Sequence, residues 1–350
     1  VRRVMKLAAG FATAALLLTA CASDDGEDSG DSTDSGDSGD SGDGLEVGLA
    51  FDVGGRGDRS FNDSAAAGIE RAQDELGIDF EELSPNADGS NRDELLRQLA
   101  DDGNEVIFGI GYAFAEDMDT VADEYPDVQF VRIDGAPSEK ENVAVMNFAD
   151  HEGSFLVGAA AALMAESGQI GFVGGNEGVV INAFGAGFKQ GVAAVDESIE
   201  VEDHRLASGE DPSGFDDAAG GRVAAEAMYD RGVEFVFTAA GDSNVGVFQA
   251  AADADAWAAG TDSDQYETVG DADLQQVIAT SMLKRVDNAV YESIEAYSND
   301  GTVESGVFDL STEGVGYSTS GDFIPEDVIA QLEEYKQQII DGEIEVNFEE

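Results

Sequence analysis

From Leu45 to Tyr317 the chain alternates short apolar runs with stretches of helical periodicity, and several of the runs end on glycine or aspartate. Short continuous apolar runs read as strands buried on both faces, and strands separated by helices build βαβ units with parallel sheets. In a first half the strands are expected over residues 45–51, 105–110, 128–133 and 143–148, with helices over 65–76, 91–100 and 114–124. The arrangement then repeats. A helix over 154–166 precedes strands at 169–173, 199–206, 233–238 and 256–260, separated by helices over 183–195, 216–230 and 244–253. Residues 276–281 read as a crossover strand with a helix over 286–297 behind it, and a closing helix runs from Pro325, a residue suited to a helix start, to about 340. One or two strands lie between 306 and 317. The expectation is an α/β protein of two similar lobes, each a mostly parallel sheet flanked by helices. The first lobe takes residues 45–148 and about 282–303, the second 149–281 and about 304–350.

The segment before Leu45 is expected to lie outside this fold. Arg2, Arg3 and Lys6 precede an apolar stretch over 7–18, and Leu18-Thr19-Ala20-Cys21 closes it. That is the pattern of a lipoprotein signal, cleaved before Cys21 with lipid attached to its sulfur. The stretch is too short to span a bilayer. Arg2-Arg3 leaves a twin-arginine export route open beside the general one. Residues 22–44 repeat Ser-Gly-Asp and offer nothing to bury, so they read as a disordered, charged tether. A lipid-anchored protein on the extracytoplasmic face of the cell membrane follows.

Charge narrows the setting. The chain holds 75 acidic and 17 basic residues, and once the signal is removed 14 basic residues remain. The body after the tether then carries about −52 on roughly 306 residues. Self-repulsion of that size destabilises a compact state at ordinary ionic strength, whereas molar salt shortens the Debye length to about 3 Å. The composition therefore suits a hypersaline environment, and it excludes nucleic-acid binding, which needs a basic footprint. It also makes lysine informative, because only Lys140, Lys189, Lys284 and Lys336 follow the signal.

Two stretches suggest a polar site. Trp257 to Gly260 runs into Thr261-Asp262-Ser263-Asp264, which delivers a carboxylate to the carboxyl-end rim of a sheet, where α/β folds bind ligands. Lys284 follows behind another apolar run. The alternative is a solvated acidic turn. Near the start, a strand ending at Asp52 meets a glycine-rich loop in which Ser60 or Asn62 can cap the next helix. Phe61 at that junction is either a packing staple or a stacking platform, and Phe215 occupies a loop before a helix in the second lobe. One loop aromatic from each lobe suits a flat ring held between them. Phe155 and Phe184 sit on helical patterns and are set aside as platforms.

Other chemistry lacks support. The glycines around Gly174-Gly175 and Gly185 to Gly191 have neither Walker nor dinucleotide spacing, so tight turns and close helix packing explain them. His151 and His204 are the only histidines, and no thiol cluster accompanies them, so no metal site is expected. Without a nucleophile elbow or a base set, an enzyme is not expected either, and no cofactor is implied.

Several motifs together resemble the basic membrane protein family of substrate-binding lipoproteins, in particular its purine-nucleoside receptors. They are Gly57-Asp58-Arg59-Ser60-Phe61-Asn62-Asp63, Val131-Arg132-Ile133-Asp134, Gly158-Ala159-Ala160-Ala161-Ala162, Ile170-Gly171-Phe172-Val173-Gly174-Gly175, Gly187-Phe188-Lys189-Gln190-Gly191, Gly260-Thr261-Asp262-Ser263-Asp264-Gln265 and Thr280-Ser281-Met282-Leu283-Lys284. The resemblance implies a type I periplasmic-binding-protein-like fold, two lobes closing over a nucleoside, and partner permease and ATPase subunits of an ABC transporter. Carried over by motif, Phe61 and Phe215 are the platforms, Asp52 and Asp134 are first-lobe carboxylates, and Asn62 belongs to the same site. Asp262 and Lys284 form a ribose pair, and Gly241 lets backbone approach the ligand. Arg59 stands where the family has lysine, and the Phe215 loop departs in length from the family pattern. A monomer is expected. The alternatives are a receptor of this fold for a flavin or sugar-like signal, and a tethered hydrolase.

The charge argument predicts salt-dependent stability. Raising KCl from about 0.1 M to about 2 M is expected to raise the thermal midpoint by about 10 °C or more. A midpoint indifferent to salt in scanning calorimetry contradicts it.

Overall fold

A computed structural model describes residues 44–166 and 168–348. The expected signal, Cys21 and the tether through Asp43 lie outside the described residues. Among those described, no helix is long and apolar enough to cross a membrane.

The first lobe begins with β1 (Glu46–Ala50), α1 (Phe61–Leu76), β2 (Asp79–Leu83), α2 (Arg92–Asp101), β3 (Val106–Ile110), α3 (Ala115–Glu124), β4 (Gln129–Ile133) and β5 (Val143–Phe148). The chain crosses over through α4 (Asp150–Met164) to β6 (Ile170–Gly174), α5 (Val179–Val195), β7 (Val201–Arg205), α6 (Ala218–Tyr229), β8 (Phe235–Ala239), α7 (Asn244–Ala254) and β9 (Trp257–Asp262). Two short helices, α8 (Gln265–Thr268) and α9 (Ala272–Gln275), lead into β10 (Ile278–Lys284). The chain returns to the first lobe with α10 (Val286–Asp300) and β11 (Gly306–Phe308), then ends in the second with β12 (Val315–Tyr317) and α11 (Glu326–Ile340).

Each lobe has a six-stranded sheet, ordered β11-β5-β4-β3-β1-β2 and β12-β10-β9-β8-β6-β7. Every pairing is parallel except that of β10 with β12. The two orders are the same permutation. Central strands β3, β4, β6 and β8 are buried along their whole length, as their apolar runs require.

Three expectations need correction. Strand β2 was not anticipated, because Asp-Phe-Glu-Glu-Leu is acidic and lies half-exposed at the sheet edge. Helix α1 starts four residues earlier than its apolar spacing indicates. Neither Ser60 nor Asn62 caps it; the Asp58 carboxylate accepts from the backbone N–H of Ser60 at 3.0 Å, Asn62 at 2.8 Å and Asp63 at 3.1 Å. Finally, β10 stays in the second sheet to Lys284 and β11 in the first to Phe308, so both crossings fall later than residues 282 and 304.

Glycines hold α4 against α5. A Cβ at Gly187 would lie 2.0 Å from the carbonyl oxygen of His151, and one at Gly191 1.9 Å from that of Phe155. Backbone cannot yield as a side-chain tip can. Gly191→Ala is expected to destabilise the body by about 3 kcal/mol, measured by denaturant unfolding in molar KCl; a loss below about 0.5 kcal/mol means the helices separate freely.

Candidate functional site

The carboxyl ends of both sheets face each other, and the loops leaving β1, β3, β4, β8, β9 and β10 contribute to a cavity of about 220 Å³. Asp52, Phe61, Asn62, Asp134, Phe215, Gly241, Asp262 and Lys284, nominated from sequence, all line it. Asp134 leaves β4 with φ of 70° and Asp262 ends β9 with φ of 67°. Aspartate tolerates this left-handed region better than most residues, and in each lobe the turn sits at the end of the fourth strand. Both carboxylates are thereby aimed at the cleft, with Asp134 4% and Asp262 9% exposed.

The charges assemble differently from the expected pair. Lys284 Nζ donates to Asp134 Oδ2 at 2.7 Å and to Asp150 Oδ2 at 3.2 Å. Asp262 instead accepts from the Ser60 hydroxyl of the opposite lobe. Burial alone would depress the Lys284 ammonium, but Asp134, Asp150 and Asp262 around it outweigh that and raise it. It is a permanent cation. Rings of Phe148, Phe61 and Phe184 lie 4.9, 5.3 and 5.6 Å from Nζ, close enough for their faces to stabilise it. Burial raises the Asp150 carboxyl to about 8 even against the pull of Lys284, with Asp134 adding to the rise. Asp262 is likewise raised by burial, opposed by Lys284 and by the Ser60 hydrogen bond.

Asn62 is committed mainly to structure. Its Oδ1 accepts from the Asp52 N–H at 2.9 Å and its Nδ2 donates to Asp58 at 3.1 Å, tying the end of β1 to the start of α1. Phe61, the first residue of α1, and Phe215, the last of a 3-10 turn over Pro212–Phe215, are each partly buried against the core. Phe215 packs against Gly175, where a Cβ would stand 2.4 Å from its ring. Gly241, with φ of 57°, begins a second such turn and packs beside Phe215. Phe184, set aside because it follows helical spacing, also lines the cavity from α5.

Residues 45–350 match the Bmp family, described as "ABC transporter substrate-binding protein PnrA-like". The chain belongs to the Bmp family. It is 35% identical over 318 residues to the CD4+ T-cell-stimulating antigen of Listeria monocytogenes, which covers 86% of this chain and 87% of that one. It is 29% identical over 365 residues to the ABC transporter nucleoside-binding protein BmpA of Lactococcus lactis, covering 99% of each. Among solved structures, an ABC transporter solute-binding protein of Aeropyrum pernix aligns with a TM-score of 0.75 and 29% identity over 87% of this chain and 94% of that one. The fold is of the type I periplasmic-binding-protein-like kind, and the protein is a substrate-binding component of an ABC transporter rather than an enzyme. As such it serves a permease and its ATPase from the extracytoplasmic side.

In this Bmp protein the lobes are also bridged around the rim of the cavity, where Tyr112 and Asp242 line it. The Arg59 carbonyl of the first lobe accepts from Ser263 Oγ at 2.6 Å, Gln265 Nε2 at 3.2 Å and Thr268 Oγ1 at 3.2 Å, all of the second lobe. Arg59 Nη1 reaches Asp242 at 3.3 Å, and Asn176 Nδ2 donates to the Tyr112 hydroxyl at 3.0 Å. Sequence reasoning did not foresee these bridges, although Arg59, Ser263 and Gln265 stand within its motifs, and it missed Asp150 and Arg92. Asp150 carried one usable signal, an acidic residue at a helix start. The Arg59 carbonyl carried none, since every residue has one.

Bridges of this kind favour the closed arrangement whatever ligand is inside. A Ser263→Ala, Thr268→Ala double variant is expected to weaken every ligand by one common factor, about five- to tenfold, and to enlarge the ligand-free radius of gyration in small-angle scattering. A factor that differs between ligands rules the bridge out as a general clasp.

Proposed function

We propose that this Bmp protein binds a nucleoside, a purine nucleoside for preference, in the cleft between its lobes and delivers it for uptake while anchored through lipid on Cys21. The observation that carries this reading is that Phe61 of one lobe and Phe215 of the other line one cavity with Asp134, Asp262 and Lys284. An aromatic from each side suits a flat base. Ionised carboxylates are acceptor-only groups, suited to the donors of a sugar diol, and such charge-assisted bonds are roughly twice as strong as neutral ones. The relative from Lactococcus lactis, matched along nearly its whole length, is named nucleoside-binding.

In this reading Phe61 and Phe215 hold the base, Gly241 brings backbone close to it, and Asp262 and Lys284 serve the ribose. The pair acts through a shared field rather than a direct bond, because Lys284 is bonded to Asp134 and Asp150. Asp52 and Asp134 supply first-lobe acceptors, and Asn62 holds Asp52 in place. Long-range steering is screened in brine, so stacking and contact hydrogen bonds carry the affinity.

Phe61→Ala and Asp262→Ala are each expected to weaken nucleoside binding at least about tenfold, or about 1.4 kcal/mol, without unfolding the body. Calorimetry in molar KCl checks this, and unchanged affinity in both variants sinks the assignment. Mass spectrometry of the co-purifying ligand, and a thermal-shift panel that includes flavins and sugars, separate a nucleoside receptor from a receptor for another small molecule.

A further inference from the structure

Arg92 was not singled out in the sequence, yet it stands directly behind Asp52, a residue of the cavity wall. It is the first residue of α2 and only 9% exposed. Its guanidinium carbon lies 5.5 Å from the Phe114 ring centroid on one side. On another it meets Gly89, whose φ is 66° and where a Cβ would stand 2.4 Å from Nη1. Nη1 donates to the Gly89 carbonyl at 3.2 Å, and Nη2 donates to Asp52 Oδ1 at 3.0 Å. A long side chain clamped in this way loses little further freedom when it forms its ion pair. Asp52 Oδ1 also accepts from the Val53 N–H at 2.8 Å. Oδ2 is left beside Gly111, at 2.7 Å from where a Cβ there would stand, on the rim that Asp52 shares with Phe61 and Asp134.

We propose that Arg92 is a positioning residue that fixes Asp52 as an ionised, acceptor-only group in the cavity wall, and thereby selects ligands that present N–H donors to it. The proposal rests on the reading that Asp52 meets the ligand. The groups bearing on Asp52 are Arg92 from α2, Asp134 from the end of β4, Tyr112 from the turn after β3, and the amide of Asn62 from α1. Burial raises the Asp52 carboxyl, Arg92 pulls it down, and Asp134 raises it again. Arg92 is the single cation in that set. Without it, the Val53 N–H is left as the opposing influence against burial and Asp134, and a protonated carboxyl carries an O–H that can donate as well as accept. A base with a ring N–H at that edge, such as inosine, pairs with the ionised form. A base with a bare ring nitrogen there, such as adenosine, must shift to offer its exocyclic amine or else leave two acceptors facing each other, the mismatch that hydrogen-bonding sites reject most strongly.

The test uses the whole body in molar KCl, with Arg92→Met, Arg92→Lys and Gly89→Ala beside the parent. Gly89→Ala keeps the charge but pushes the guanidinium off Asp52 from a buried position in a loop whose flanking residues Asp88 and Ser90 are exposed, so the question does not hang on one variant folding. Carboxyl-carbon NMR, with Asp52→Asn as the assignment control, reads the Asp52 titration directly; calorimetry with inosine and adenosine reads the preference across about pH 5 to about pH 8.5. In Arg92→Met and Gly89→Ala the Asp52 midpoint is expected to rise by about one pH unit or more. Inosine binding then fails at a higher pH than in the parent as acid is added, and the inosine-over-adenosine preference narrows about fivefold or more. Arg92→Lys is expected to restore most of both. An unmoved midpoint in folded Arg92→Met overturns the proposal, as does a moved midpoint with an unchanged preference. If neither nucleoside binds the parent, the nucleoside reading fails by itself, and the carboxyl titration still decides whether Arg92 governs Asp52.

Discussion

The site depends on one ammonium removed from water. Lys284 is 1% exposed, carried by β10 of the second lobe, and held by a carboxylate from the end of β4 in the first. Desolvating such an ion is costly, and removing one partner of a buried pair typically costs about 3–5 kcal/mol. Asp134, Asp262, the carboxyl group of Asp150 and three aromatic faces around it offset that cost. Because partners come from both lobes, the cluster couples the meeting of the lobes to the shape of the cavity floor. The Ser60 to Asp262 hydrogen bond follows the same logic, since a second-lobe carboxylate is oriented by a first-lobe hydroxyl. Alignment of the ligand-facing acids is thus a property of the closed pair rather than of either lobe alone.

Much of this was legible before any coordinates. Buried parallel strands leave continuous apolar runs, and their ends are conspicuous because charge begins abruptly there. Asp262 and Lys284 were visible for that reason, and Asp52 and Asp134, also at strand ends, took their place in the site from the resemblance to the family. The sequence did not show which acid pairs with which base. Lys284 meets Asp150, which belongs to a helix start, and Asp262 meets a serine some 200 positions away. Pairing across lobes depends on how the lobes close, and no local pattern encodes that. Strand β2 was hidden by its acids and Phe184 by its helical spacing, two cases in which a residue's surroundings differ from what its neighbours in sequence suggest. Arg92 was hidden because an arginine opening a polar helix looks solvated until Gly89 and Phe114 are placed against it.

The acidic composition shapes the same site from outside. With so few cations in the body, most of those that remain are spent on exposed pairs such as Arg97 with Glu124 or Lys140 with Asp123. Exposed pairs contribute little, and less in salt. Among the described residues Lys284 and Arg92 are the buried ion-paired exceptions, Lys284 lining the cavity and Arg92 holding Asp52, which lines it, while the buried Arg132 donates to backbone instead. Brine that screens the surface leaves these two interactions largely intact, because ions do not enter the space between the partners.

The shared strand order of the lobes has one last implication. The fifth strands end on Phe148 in one lobe and Lys284 in the other, and these two residues touch, with Nζ 4.9 Å from the ring centroid. The halves otherwise share a strand order and turn an aspartate inward at the end of the fourth strand in each. A cleft with such twofold character would have no means of telling the head of a ligand from its tail. A ring at one position and an ammonium at its counterpart remove that ambiguity, giving the cleft a direction and its guest a single way round.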